Sequence, residues 1–325
     1  MGTTCSVYRN GEAARPVTDL TAISDVLEAG DGFVWFDAVS PSAADLALIQ
    51  DEFGLHPLAI EDAVKGHQRA KIDRYGDGWF IVVRGVSGGL EDLTVHEIAI
   101  FAGQRYIVTV RSEPAYPMAE VLWRWNHDER SLPRSAGALL YEILDTIVDG
   151  YSEVGEALED RANALDDALL ERREHTEATL LEIFQIGRRI QRFRRAIGPM
   201  RDVLVPLIRG DAEFVEALER PYYHDVNDHV ERVIDQMDAA KELVTKTLEV
   251  HLGLSAHRQG DVSRQLTIIA TVFLPLSFIT GFFGQNFGYM VNDIAAPWVF
   301  IVFGLGLQVA TLAVLFAYFR RKRWL

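Results

Sequence analysis

The sequence predicts a mixed α/β body joined through one long stalk helix to a two-helix membrane hairpin. Three observations predict it: strand-like runs confined to about the first 115 residues, an apolar register running from Val226 to Leu254, and two uncharged apolar spans, Leu266 to Gly284 and Trp298 to Phe319. The expected organisation is an α/β domain over residues 1–132, a helical region packing on the stalk over 133–220, and a stalk over 221–265. A first span at 266–284, a loop at 285–297, a second span at 298–319 and a basic tail at 320–325 complete it.

Each apolar span holds about 20 residues, the length needed to cross a hydrocarbon core of roughly 30 Å at about 1.5 Å per residue. The second span is apolar on all sides and ends in the basic run Arg320, Arg321, Lys322 and Arg323, as a membrane helix does where it meets the cytoplasmic headgroups. The opening MGTTCSVYRNGE is polar and lacks the apolar core of a secretory signal. The expectation is therefore that both chain ends lie in the cytoplasm at the plasma or inner membrane, with only the loop around Asn286 to Ala296 facing outward.

The formal net charge is −15; from Leu266 onward the charged residues are Asp293 and the four C-terminal basic groups, a net +3, which leaves −18 on residues 1 to 265. Such a body repels phosphate backbones and draws cations, which argues against nucleic acid as a partner. The single cysteine, Cys5, excludes an intrachain disulfide and a cysteine-based zinc cluster and suits a reducing compartment.

Four runs in the first domain read as strands, being rich in β-branched and aromatic residues and bounded by Gly, Asp or Pro: Gly32 to Val39, Trp79 to Gly85, His96 to Ala102 and Arg105 to Val110. Ser42 to Phe53, opened by Ser40 and Pro41, reads as a helix with an apolar face through Leu46, Ile49 and Phe53. The Pro-rich link Glu113 to Pro117 precedes a change of character, and long helices are expected over Ser135 to Leu170 and His175 to Ile197. The basic stretch Arg188 to Arg195 reads first as a face solvated or paired with acids such as Glu153, Glu156, Glu159 and Asp160, and alternatively as a lipid-headgroup contact.

After Pro221, Val226, Val230, Val233, Met237, Ala240 and Val244 recur in alternating steps of four and three, and the register continues through Thr247 and His251 to Leu254. No proline interrupts the chain before Pro275, so one helix is expected from about Tyr222 to Gly284. A rod of this kind cannot bury its seam alone. It packs either on helices of its own chain or on copies of itself around an axis, in which case the first membrane span continues the seam and lines a pore.

The stretch from Pro221 to Leu325, with YYHDVNDHV, QLTIIATVFLPLSFITGFFGQNFGYM and the ending FRRKRWL, resembles the C-terminal half of the CorA family of divalent-cation channels. The family signature Gly-Met-Asn stands here as Gly284, Gln285 and Asn286, followed by Phe287. FDAVSPSAADLALIQDEFGLHPLAIEDAV and QRAKIDRYGDGWFIVVRGV are similar to the family's cytoplasmic domain. The resemblance implies a homopentameric funnel in the membrane whose stalk helices line a pore, carrying Mg2+, with Co2+ or Ni2+ as tolerated ions, and gated by intracellular divalent ions.

By position, the resemblance makes Gly284, Gln285 and Asn286 the selectivity filter. Hydrated Mg2+ releases its waters reluctantly, so fixed oxygens that bind the hydration shell suit such an entrance. Ser277, Leu266, Val262 and Gly260 are the expected lining, with Leu266 as a constriction that gates by dewetting or, equally, as a packing residue. Asp225 aligns with a stalk acid that helps bind a regulatory divalent ion between protomers, with Glu91 and Asp92 of the next chain as its expected partners; taken alone, Asp225 reads as readily as a solvated charge. His224, Asp225, Asp228 and His229 include i, i+4 pairs that can seat Zn2+, and read as surface residues.

Two departures bear on the substrate. Gln285 replaces the signature Met, and the outer loop holds Gly288 where an acid is usual and keeps only Asp293. A zinc transporter of the ZntB type is therefore one alternative, and a poorly conducting pentameric sensor or scaffold another. No organic cofactor is expected. No enzyme is expected either, because the sequence holds no phosphate-binding glycine loop after a strand, no G-x-S-x-G elbow and no H-E-x-x-H motif.

Overall fold

A computed structural model describes residues 2–9, 15–17, 19–30, 32–127, 133–171, 177–285 and 296–322. By its own contacts the chain divides into two units, Met1–Leu248 and Glu249–Leu325.

The first unit is built on a seven-stranded sheet of order β2-β1-β3-β7-β6-β5-β4. Its strands are β1 (Gly2–Tyr8), β2 (Arg15–Pro16), β3 (Phe33–Val39), β4 (Lys71–Tyr75), β5 (Gly78–Ser87), β6 (Thr94–Gly103) and β7 (Tyr106–Arg111). Only β3 and β7 run parallel; the other pairs are antiparallel. Both sheet faces are covered, which explains why β3, β5 and β6 read as near-continuous apolar runs. Alternate residues Val34, Phe36, Phe80, Val82 and Val108 pack beneath α1 (Ile23–Ala29), α2 (Ala43–Glu52) and α3 (Pro57–Lys65). On the opposite face, Trp35, Ile81, Val83, Ile98 and Ile107 join the core of the long helices. Cys5 points to the α1–α3 side, where burial pushes its thiol up to about 12, so it is inert at physiological pH.

The four expected strands are β3, β5, β6 and β7. The opening segment, whose polar composition gave no strand signal, is also a strand, because its backbone pairs with β3 from Gly2–Val39 to Tyr8–Phe33. Helix α2 starts at Ala43, one residue after the expected Ser42, which is its cap: the Ser42 hydroxyl accepts from the Asp45 amide and Asp45 Oδ2 accepts from the Ser42 amide at 2.9 Å. At the parallel pair, Asp37 accepts from Arg111 Nε at 3.0 Å and from the Thr109 hydroxyl at 2.5 Å, which satisfies a nearly buried ion pair.

Helix α4 (Ala119–His127) leads into α5 (Ala136–Glu171), α6 (Glu177–Ile197), α7 (Met200–Arg209) and the 64-residue α8 (Arg220–Phe283). The register on α8 is buried inside its own chain: Val226, Val230, Val233, Met237, Ala240 and Val244 all join the core with α5 and α6. A Cβ added to Gly155 of α5 would lie 3.2 Å from Val233, and one on Gly187 of α6 would lie 3.4 Å from Val244, so these glycines let the helices close on the seam. Thr247 donates to Asp166 at 2.7 Å and Tyr223 to the Gly137 carbonyl at 2.7 Å. Of the two expected ways to bury the seam, the structure shows the first, packing on helices of the same chain, from Val226 to Val244. Within one chain α5 and α6 already supply the apolar partner, so another face of α8 is left for any axis.

The basic stretch of α6 is in part solvated and in part paired, as expected, with Asp238 as the partner acid in place of those on α5. Arg194 pairs with Asp238 of α8 at 2.6 Å, which holds the Asp238 carboxyl below its usual range, while Glu159 accepts from Gln236. Arg188, Arg192 and Arg195 are exposed and make no ion pair among the described residues, because helical phase turns them outward from the α5–α8 contact.

In the second unit, α8 continues to Phe283 and α9 (Pro297–Arg321) follows, with a π-helical stretch at Phe300–Gly306. Both helices are long and apolar enough to cross a membrane, and large apolar side chains such as Leu274, Phe278 and Phe300 are exposed on them.

Candidate functional site

Helix α8 brings Val262, Leu266, Ser277 and Gly284 onto one stripe, within about 60° at about 100° per residue, and places Gly260 about 100° or more away from all four. Val262 is 56 % exposed and Leu266 62 % exposed, and Ser277 is exposed as well. The shielded side is different: Ile268, Val272, Pro275 and Ile279, in the register continued from Leu254, are half-buried or buried. Ile279 lines a cavity of about 350 Å3 together with Phe300, Gly304 and Leu305 of α9, and Gln308 donates to the Thr280 hydroxyl at 3.2 Å. The seam face therefore meets α9, and the stripe through Leu266 is left uncovered by its own chain. Thr267, Thr271 and Thr280 return their hydroxyl protons to carbonyls four residues back, which keeps these polar groups satisfied on an apolar helix.

The helix ends just before the signature. The Gly284 amide donates to the Thr280 carbonyl at 2.9 Å and the Gln285 amide to the Phe282 carbonyl at 3.3 Å, and Gln285 is exposed. Asn286, Asp293 and Arg323 lie outside the described residues. At the other end of α9, Arg320 and Arg321 close the last turn and Lys322 caps it, donating to the Tyr318 carbonyl at 3.0 Å. Positive charge there complements the helix dipole.

On the stalk, Asp225 is exposed and has no hydrogen bond or ion pair among the described residues. Asp92 is engaged in the turn between β5 and β6, accepting from the Gly89 amide at 2.7 Å, and Glu91 is exposed beside it. Within one chain these acids do not meet Asp225. His224 faces Asp228 at 3.9 Å on the stalk surface.

A cluster that the sequence reading missed lies between α5 and α8. Ligand atoms of Asp145, Asp149 and His229 all lie within 4.8 Å of one another, the spacing of a divalent-ion site. Arg124 of α4 reaches into this cluster, 2.6 Å from Asp149 and 3.5 Å from Asp145, with Glu120 at 2.6 Å. Burial opposes the Arg124 charge, but hydrogen bonds to Asp149 and Glu120 outweigh it and raise the affinity for its proton. His229 stands among the residues read as surface; its partners are about 80 positions earlier on another helix. The only advance signal was the i, i+4 spacing of Asp145 and Asp149 on α5.

Comparison with known proteins agrees with this architecture. The family model described as CorA-like Mg2+ transporter protein matches residues 30–321. The cobalt/magnesium transport protein CorA of Thermotoga maritima is 30% identical over 276 residues, covering 84% of this chain and 78% of that protein. The zinc transport protein ZntB of Cronobacter sakazakii is 28% identical over 243 residues, covering 73% of this chain and 72% of that protein. The complete structure of the CorA magnesium transporter from Methanocaldococcus jannaschii superposes with a TM-score of 0.79 at 20% identity, covering 99% of this chain and 98% of that one.

Proposed function

The chain belongs to the CorA-like Mg2+ transporter family, and from that membership we propose that it assembles as a homopentameric channel admitting Mg2+ through the cell membrane. It is a membrane transporter of divalent metal cations, and Co2+ is carried by the same chemistry of fixed oxygens around a hydrated ion. One observation supports the pore reading above the rest: between Ile268 and Ile279, α8 shields Ile268, Val272, Pro275 and Ile279 within its own chain, while Val262, Leu266 and Ser277 are exposed. Five copies of that stripe make a lining in which Leu266 is the apolar constriction. At its end, the Gly284 carbonyl and the Asn286 side-chain amide supply the oxygens of the entrance, with Gln285 between them. Gly260 falls outside the lining by helical phase.

Regulation rests on acids facing the cytoplasm. Asp225 is available to a divalent ion shared with Glu91 or Asp92 of a neighbouring protomer, and ion binding there holds the ring closed. Without the ion, clustered carboxylates repel one another and the ring opens, which gives the ion the differential affinity that a gate requires. By the positive-inside rule, the basic run at the end of α9 supports a cytoplasmic side for both chain termini.

A zinc reading is favoured by one feature, the imidazole of His229 beside Asp145 and Asp149, since nitrogen donors suit Zn2+ better than Mg2+. Ion uptake into proteoliposomes, comparing Mg2+ with Zn2+ and using Asn286→Ala as the blank, decides between them. Mg2+ uptake lost in Asn286→Ala is the expected result. Zn2+ uptake alone transfers the assignment to zinc, and no flux of either ion removes the channel reading.

A further inference from the structure

We propose that an open cavity in the α/β domain, on the α1–α3 side of the sheet, binds a nucleoside phosphate. The cavity holds about 710 Å3, within the range of about 300–1,000 Å3 that small-molecule sites occupy. Three turns converge on it: the link from α2 to α3, the β4–β5 turn and the β6–β7 turn. Aromatic rings dominate its walls. Phe53 and Tyr106 lie 5.3 Å apart, and Tyr75 stacks on His56 at 4.9 Å. Such surfaces take a planar heterocycle by stacking.

The lip stays open for a backbone reason. Gly54 and Gly76 adopt φ of +62° and +63°, and a Cβ on either would meet nothing within 4 Å. Both turns thus need glycine, and both leave room for a ligand to approach the backbone. Polar groups on the rim are few and unlike one another. Arg105 donates Nη1 to the Leu27 carbonyl at 3.0 Å and has no carboxylate partner among the described residues, leaving the rest of its fork for a phosphate. Asp77 is exposed, a carboxylate placed to accept from sugar hydroxyls. His56 accepts from the Leu58 amide at Nδ1, so the neutral ring carries its proton on Nε2 and offers a further donor.

An aromatic bed, an acceptor for hydroxyls and an unpaired guanidinium in one cavity match the three parts of a nucleotide. The acidic body repels a bare polyphosphate, and Mg2+ bound to the nucleotide relieves that repulsion. The inference is independent of the pore. It makes the cytoplasmic domain a reader of the cell's metal-bound nucleotide.

Isothermal titration of the full chain in detergent with ATP plus Mg2+ tests it. The expected result is binding with a Kd of about 1 mM or tighter, weakened about tenfold or more in Arg105→Gln and in Tyr75→Ala, with intermediate loss in Arg105→Lys. Adenosine and tripolyphosphate, each holding one part of the ligand, are expected to bind more weakly than ATP. These rim substitutions leave the thermal midpoint unchanged. No heat of binding in the wild-type chain overturns the proposal, as does equal affinity in Arg105→Gln and Tyr75→Ala.

Discussion

Gln285 stands where the family signature has Met, and its side chain is exposed at the end of α8. In the proposed entrance, an amide there adds a polar donor and acceptor where a hydrated ion is selected by oxygen geometry. Gln285→Met is therefore expected to sharpen preference for Mg2+ over Co2+ and Zn2+ in uptake assays; an unchanged ion ranking removes position 285 from the filter. Glu219 offers a residue-scale test of the body. It is 1 % exposed, accepts from the Ser135 hydroxyl and from the Glu216 amide at 2.8 Å, and burial raises its carboxyl above the usual range. The folded chain thus holds that proton more tightly than the unfolded chain, so stability falls as pH rises from the ordinary carboxylate range through the raised folded value. Glu219→Gln is expected to flatten that part of the pH–Tm curve. The signature was legible as a contiguous motif, whereas Glu219 carried no local pattern, since its burial comes from residues more than 80 positions earlier.

At the scale of elements, α8 carries the buried seam on one face and the proposed pore-lining stripe on another. Its seam anchors the stalk to α5 and α6, and its opposite stripe is free. Met237→Ala, at a fully buried seam position, is expected to cost about 2–5 kcal/mol of stability, read by denaturant melts, while the oligomer seen by size exclusion at permissive temperature stays intact. Dissociation of the oligomer with an unchanged melt would return the seam to the interface between copies. The step pattern of α8 was legible in the sequence, and so was its length to within two residues. Which partner the seam meets was not, because an apolar face specifies burial and leaves open whether the cover comes from the same chain or another. Strand β1 escaped notice for a related reason: its pattern is weak alone and is fixed by the backbone of β3.

For the whole molecule, the acidic body and the basic membrane end bear on the proposed regulation by cations. Asp225→Ala is expected to shift closure to higher intracellular Mg2+, measured as current or uptake against internal Mg2+. An unchanged dependence would assign that response to other groups, with the cluster of Asp145, Asp149 and His229 the next to vary. Arg124 bears on that cluster, since a tethered cation competes with an ion for Asp149. The pairing of the cluster was invisible in the sequence, where its members are scattered across two helices.

The sequence by itself determined the membrane hairpin, the long helix, four strands of the sheet and the family signature, because each is written in local periodicity, length or a contiguous motif. Tertiary structure alone decided which face of α8 is covered, which acids gather around His229, and that three distant turns enclose an aromatic cavity. Those outcomes depend on contacts between residues far apart in the chain, and burial and electrostatic pairing are settled only when the elements pack.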